Sequence, residues 1–198
     1  MKAKKWGFIA AMLAVFVARC IGKQYGALTI KGGVVTKCDT SATGTVEIPK
    51  GIKSIGELAF SSCNDLMSIT IPDSITSIEK MTFFGCRSLT SVTIPDSVTS
   101  IGKDAFFCCD SLTSIAIPNS VMFIGKNAFG ACSKLTSVTI SDSVTSIGKD
   151  AFGGCRYLAT IKYSGTIAQW NAVSKGDGWH DYVPAATVEC TDGTASLD

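Results

Sequence analysis

Apolar and polar residues alternate in a pattern that repeats every 23 positions along most of this chain. Four consecutive blocks share the pattern, at 64–86, 87–109, 110–132 and 133–155. A fifth block, 41–63, keeps only the second half, and a partial sixth begins at Arg156. One unit of this length cannot bury its eight apolar side chains alone, so the pattern predicts stacked units that cover one another.

The apolar positions within one block indicate how the unit folds. In 87–109 they are Leu89, Val92, Ile94, Val98, Ile101, Ala105, Phe106 and Cys109. The first three predict a short strand, which Pro95 ends because proline cannot donate to a ladder. A second short strand is expected at 98–102, where Gly102 permits a bend. A helical turn at 104–106 would place Phe106 in the core.

Stacking these units predicts a mainly-β or α/β solenoid with a parallel strand in each rung and rungs about 4.8 Å apart. We expect one sheet in which the repeated strands lie side by side in sequence order. We divide the chain into an N-terminal cap with the first rung (28–63), four full repeats (64–155), and a partial repeat with a C-terminal cap (156–198). In that cap, Thr166 and Gln169 predict the start of a helix.

The repeated string L-x-S-[IV]-x-I-P-x-S-[VI]-T-S-I-G-x-x-A-F-x-x-C resembles the BspA-like leucine-rich repeats of bacterial surface proteins. The resemblance extends from 28 to about 193 and includes the ending YSGTIAQWNAVSKGDGW. Local departures are Ser141, which replaces the strand-ending proline, and Met122 with Phe123, which replace Thr and Ser. The resemblance implies a leucine-rich repeat fold and adhesion to host matrix proteins or other cells, without catalysis.

Composition and charge exclude several other classes of protein. Hydrophobic residues make up 46% of the chain and charged residues 17%, which argues against a disordered protein. The net charge is +2, but the first 22 residues carry four positive charges and the remainder has a net charge of −2. A nearly neutral body gives no electrostatic signal for nucleic acid, so we expect no nucleic-acid partner.

The first 20 residues predict an export signal. A lysine-rich start is followed by a 12-residue apolar run at 7–18, too short to span a bilayer as a helix. The sequence around Cys20 resembles a lipoprotein cleavage box, although Arg19 stands where that box needs a small residue. Simple cleavage and lipidation of Cys20 are both open. A lipid on Cys20 is the one membrane contact that we expect of an otherwise secreted or surface-exposed protein.

Cysteines recur at the last position of the repeat: Cys63, Cys86, Cys109, Cys132 and Cys155. An oxidising compartment would favour disulfides, but side chains stacked in one direction do not converge, so we expect buried free thiols. A zinc site needs four converging ligands, whereas the chain has one histidine, His180, and one adjacent pair, Cys108 and Cys109. We therefore predict no metal, no cofactor and no enzymatic activity.

The outward residues of the main strand form a flat, hydroxyl-rich candidate binding face: Ser68, Thr70, Thr90, Ser91, Thr93, Thr113, Ser114, Thr136, Ser137, Thr139, Thr160 and Lys162. Such a face suits a protein or another cell-surface macromolecule, and its regularity also fits an ice or crystal surface. Thr and Ser equally suit plain strands, so a spacer without a ligand is the alternative function. Met122 and Phe123, together with Phe84 and Phe107, form a candidate apolar patch.

Overall fold

The computed structural model describes residues 25–197, which wind into a solenoid of about seven turns. This confirms the predicted mainly-β solenoid. The predicted export signal and Cys20 lie outside the described residues.

Two short strands in each coil lie on two different sides of the solenoid. In chain order the strands are β1 (Leu28–Lys31), β2 (Val34–Cys38), β3 (Gly44–Glu47), β4 (Ser54–Ile55), β5 (Leu66–Thr70), β6 (Ser77–Ile78), β7 (Ser91–Thr93), β8 (Ser100–Ile101), β9 (Ser114–Ile117), β10 (Phe123–Ile124), β11 (Ser137–Ile140), β12 (Ser146–Ile147), β13 (Thr160–Tyr163), β14 (Ser174–Lys175), β15 (Thr187–Cys190) and β16 (Gly193–Ser196). A helix, α1 (Ile167–Ala172), lies between β13 and β14, and a 3₁₀ turn, Tyr25–Ala27, precedes β1.

The odd-numbered strands from β3 to β15 run parallel in sequence order along one side, as expected, but they do not form one sheet. Backbone pairing joins β3, β5 and β7, and separately joins β9, β11, β13 and β15. Threonine hydroxyls bond successive coils together on both sides of the interruption. Thr90 Oγ1 donates to the carbonyl of Met67 at 3.1 Å, and Thr136 Oγ1 donates to that of Thr113 at 3.0 Å.

The third side of each coil consists of reverse turns, where the sequence predicted a helical turn. Asp104 and Cys108 have φ of 55° and 58°, whereas every residue of a helix needs a negative φ. The N–H groups alternate between two kinds of acceptor. Those of Asp104, Phe106 and Cys108 donate to carbonyls of the next coil, and those of Ala105, Phe107 and Cys109 donate to the carbonyl three residues earlier. The turns thus satisfy their own backbone while bonding one coil to the next.

Stacked phenylalanines form the centre of the core. The rings of Phe60, Phe83, Phe106, Phe129 and Phe152 lie in one file, with neighbouring centroids 5.0 to 5.3 Å apart. Each of these side chains is fully buried. The ring spacing is close to the separation of paired strands, so aromatic stacking and backbone pairing require the same distance between coils.

The repeated cysteines form a second buried file beside the phenylalanines. Cys86 Sγ donates to the carbonyl of Phe60 at 3.0 Å, and Cys109 Sγ donates to that of Phe83 at 3.3 Å. Cys132 and Cys155 make the same contact with the coil before each of them. Burial raises the pKa of the Cys86 thiol from 9.0 to about 12. The expected burial is confirmed, and each thiol also satisfies a backbone carbonyl of the neighbouring coil.

Repeated glycines allow the coils to approach closely, which is a different role from the predicted bend. A Cβ on Gly125 would lie 2.6 Å from the carbonyl carbon of Gly102, and one on Gly148 would lie 2.5 Å from the nitrogen of Lys126. Neither residue has a positive φ. Glu79 replaces glycine at this position in one coil, and there β4 and β6 are not paired. The coil that has Glu79 instead of glycine is therefore also the coil whose second strand, β6, does not pair with that of the preceding coil.

Both ends of the described stack are covered by a hairpin. At the N-terminal end β1 pairs antiparallel with β2, which pairs in turn with β4. At the C-terminal end α1 begins at Thr166 with the predicted capping box to Gln169. The chain there turns back from β15 into β16, and these two strands pair antiparallel. Burial lowers the pKa of Lys175, whose Nζ donates to the carbonyl of Trp170 at 3.0 Å.

We expect Gly125→Ala to lower the free energy of unfolding by about 1–3 kcal/mol, because the added methyl would overlap the backbone of the preceding coil. Urea unfolding followed by circular dichroism measures the change. Gly153→Ala is the matched control, since a Cβ there has its nearest contacts at an ordinary 3.4 Å. Equal stability of the two variants would contradict close approach as the role of Gly125.

We expect the buried thiols to be reduced and to react only after unfolding. The raised pKa of Cys86 keeps its thiol protonated in the folded protein, while the reactive species is the thiolate. The stability from this shift is present below about pH 9 and is lost as the pH rises toward 12. Thiol titration without reductant should find more free thiols in denatured than in native protein. No increase on denaturation would show that the file is disulfide-bonded or blocked.

Candidate functional site

The outward residues of β3 to β15 form the strand face, which the structure places on one side of the solenoid. Strand register aligns them in two files that follow the coils. One file contains Thr45, Ser68, Ser91, Ser114, Ser137 and Thr160. The other contains Glu47, Thr70, Thr93, Ala116, Thr139, Lys162 and Glu189. The candidates of the sequence analysis that belong to these files are exposed or half-buried, so their hydroxyls are accessible to a ligand.

The remaining predicted residues of the face, Thr90, Thr113 and Thr136, lie outside the two files, and two of them form hydrogen bonds to the preceding coil. Thr90 and Thr136 precede their strands, and their hydroxyls donate to carbonyls of the preceding coil. Thr113 is exposed at the same position of the coil between them. Two of these three hydroxyls therefore contribute to the contact between coils, and the two files within the strands remain the candidate binding face.

The coils that contain β5 and β7 border a groove that the sequence analysis did not predict. Its volume is about 540 Å³, and it lies along β5 and β7, beside the interruption of the sheet. Val92 is half-buried there, whereas the corresponding Ile69 and Ile115 are buried. The lining residues include Ser68, Thr70, Ile71, Asp73, Ser91, Thr93, Pro95 and Asp96. A second depression of about 480 Å³ shares Thr70, Ile71 and Asp73 and continues toward Glu47 and Lys50.

The groove combines hydroxyls, carboxylates and a small apolar surface. Asp73 and Asp96 occupy the same corner in successive coils and are both exposed. Ile71 and Pro95 are mostly buried, and the small part of each that is accessible gives the groove an apolar surface between these corners. Such a groove can accept and donate hydrogen bonds and can attract a cationic side chain. The repeated Pro-Asp-Ser corner of the sequence contained this signal, because its period places successive aspartates side by side.

The charged residues of the strand-face files lie near the two ends, with Glu47 at the N-terminal end and Lys162 and Glu189 at the C-terminal end. Lys162 and Glu189 are register partners, and Lys162 Nζ lies 3.4 Å from Glu189 Oε2. Both side chains are more than half exposed, so the pair contributes little to stability. The central part of the face, from Ser91 to Thr139, carries no charged strand residue among those described.

The predicted apolar patch divides between two sides of the coil. Met122 and Phe123 are 44% and 50% exposed, and Phe123 lies in β10 on the second-strand side. Phe84 and Phe107 stack on each other at 5.5 Å on the turn side. The first pair is therefore an exposed surface feature, and the second pair packs against its own neighbouring coil.

His180 lies in the C-terminal cap, where its ring packs against Trp179 at 4.7 Å between centroids. Within 25–197, no three His, Cys, Asp or Glu side chains converge as metal ligands. Nor does this part of the chain contain a helix long and apolar enough to cross a bilayer.

Comparisons with known proteins identify the repeat. The family model described as "BspA type Leucine rich repeat region" matches residues 36–159 in six copies. A comparison with curated protein sequences finds no match.

Solved structures of bacterial leucine-rich repeat proteins are similar to this chain. A leucine-rich cell surface protein of Faecalibacterium prausnitzii is 34% identical over 71% of the chain, with a TM-score of 0.69. A leucine-rich repeat protein of Bacteroides ovatus is 36% identical over 65%, with a TM-score of 0.61. The chain covers only 38% and 34% of these two proteins. The leucine-rich repeat protein of T. pallidum, 25% identical with a TM-score of 0.64, matches over 77% of this chain and 84% of its own.

Proposed function

The chain belongs to the BspA-type leucine-rich repeat family, and on that premise we propose that it is an exported, non-enzymatic module that recognises another protein through its strand face. The family supports a repeat module for protein recognition or for structure. The similar protein of Faecalibacterium prausnitzii is a cell surface protein, which supports the same location for this chain. Removal of the export signal would deliver it there, either by cleavage after Cys20 or by lipidation of Cys20 with cleavage before it.

The groove along β5 and β7 is the observation on which this proposal rests. A uniform solenoid would present the same shallow surface at every coil, whereas this one has a depression of about 540 Å³ at β5 and β7. Hydroxyls of Ser91 and Thr93 line it together with two carboxylates. A protein segment with hydrogen-bonding groups and a basic side chain would complement this surface. If that segment belongs to a host matrix protein or another cell, its recognition by the groove would result in adhesion.

A spacer without a specific ligand is the second candidate function. The observation in its favour is the composition of the strand face, whose described strands carry no exposed Trp, Tyr or Arg. Those are the residue types that dominate binding energy at protein interfaces. A spacer would need only a stiff stack of coils with a soluble surface, which Thr and Ser provide.

Changing the groove without changing net charge separates the two functions. We expect the double variant Ser91→Lys with Thr93→Glu to abolish binding, because long charged side chains would fill the groove without touching the core. The matched control is Ala168→Lys with Ala172→Glu, two exposed positions of α1 in the C-terminal cap, away from the groove. Both variants should unfold like the parent chain.

The measurement is binding of the full-length chain and its variants to immobilised host matrix proteins, mucins and other cells. Saturable binding at micromolar affinity, about −8 kcal/mol, that the groove variant loses and the control keeps supports recognition. Absence of binding to every surface by a folded parent chain, or equal binding by the groove variant, would contradict it and leave the spacer function.

A further inference from the structure

Four lysines occupy the same position in four successive coils, and we call them the lysine row: Lys80, Lys103, Lys126 and Lys149. All four are exposed. Backbone bonds fix their register, because the carbonyls of Lys103, Lys126 and Lys149 each accept from the coil before, at 2.8 to 2.9 Å. With paired strands about 4.8 Å apart, the row places four cations along roughly 14 Å.

The carboxylates beside the lysine row are less exposed than the lysines, since Glu79 and Asp150 are half-buried and Asp104 is buried. Among the described residues, the row has one ion pair within 4 Å, between Lys103 Nζ and Asp104 Oδ2 at 3.7 Å. Asp104 also accepts from Asn127 Nδ2 at 2.9 Å. Glu57 and Asp177 hold the same position in the coils beyond the two ends of the row. Glu79 accepts from Ser77 Oγ at 2.6 Å within its own coil. Because the lysines are more exposed than these three carboxylates, an anionic ligand in solution contacts the lysines first, and its charge offsets the repulsion among four cations within about two Debye lengths.

A flat surface of small polar residues borders the lysine row. The strands β6, β8, β10, β12 and β14 form one continuous parallel sheet three residues upstream of the lysines. Register aligns their first residues as a file of Ser77, Ser100, Phe123, Ser146 and Ser174. Phe123 is 50% exposed, so one aromatic ring stands between serine hydroxyls beside the row of cations.

We propose that this side of the solenoid binds a linear anionic polysaccharide. Carboxylate or sulfate groups on successive sugars meet the cations of the lysine row, because a sugar unit and a coil have similar lengths along their axes. The serine hydroxyls donate to and accept from sugar hydroxyls, and the exposed ring of Phe123 packs against the apolar face of one sugar. This surface lies apart from the strand face, so it does not depend on the function proposed above.

Two other classes of ligand fit the surface less well. Single-stranded nucleic acid is held by aromatic side chains on which successive bases stack, whereas the five strands of this sheet carry one aromatic residue, Phe123. A protein partner would require an apolar, aromatic-rich centre, and lysine is depleted from protein interfaces. A straight row of cations beside hydroxyls matches a polymer whose charges repeat along one line.

The test compares two full-length variants that lose the same amount of charge. The first replaces all four residues of the row, with Lys80→Gln, Lys103→Gln, Lys126→Gln and Lys149→Gln. The control replaces four exposed lysines elsewhere, with Lys31→Gln, Lys37→Gln, Lys50→Gln and Lys134→Gln. Both keep the basic residues of the first 20 positions, so any contribution of that segment is constant. Circular dichroism establishes that each variant is folded.

The probes are heparin oligosaccharides for sulfate, oligogalacturonate for carboxylate, neutral dextran and a single-stranded thymidine oligonucleotide. We expect the parent and the control to bind at least one anionic saccharide, with affinity that falls as salt rises, and the row variant to bind at least tenfold more weakly. Equal losses in both variants would overturn the proposal, because total charge would then explain the binding. Tighter binding to the oligonucleotide than to either saccharide, or no binding to either saccharide, would also overturn it.

Discussion

Contact between successive coils determines almost every other feature of this protein. A coil has too few neighbours within itself to bury its phenylalanine, cysteine and aliphatic side chains, so it becomes stable only against the next coil. Backbone pairing requires a separation close to 4.8 Å, and the stacked rings of the phenylalanine file lie 5.0 to 5.3 Å apart. Because both interactions require the same spacing, they reinforce each other along the whole stack.

That constraint explains which structural features could be predicted from the sequence. The 23-residue period and the apolar positions are direct consequences of stacking, so they predicted the strands, the core and the buried cysteines. The capping box at Thr166 was predictable because its chemistry is local. The turn conformation was not, because the left-handed φ of Asp104 and Cys108 depends on bonds to the neighbouring coil. The interruption of the sheet between β7 and β9 was not predictable either, because it depends on small differences in the packing of two nearly identical coils.

The same constraint explains how function can vary on a fixed core. Inward positions are restricted by the neighbouring coil, while each outward position is repeated at a regular interval and can change freely. The strand face has hydroxyls and a groove with two aspartates, and the second-strand side has the lysine row. Of the candidate residues, the hydroxyl files were predictable from strand alternation, whereas the groove depends on how two neighbouring coils are placed in space.

Deletion of one repeat tests most directly whether contact between interchangeable coils stabilises the fold. Removal of 110–132 joins two coils that already share the same pattern, so the shortened chain should unfold in one cooperative urea transition with a smaller m-value. Removal of only 110–121 shifts every later coil out of register and should eliminate that transition. Loss of cooperative unfolding in the first chain, with its retention in the second, would contradict this account.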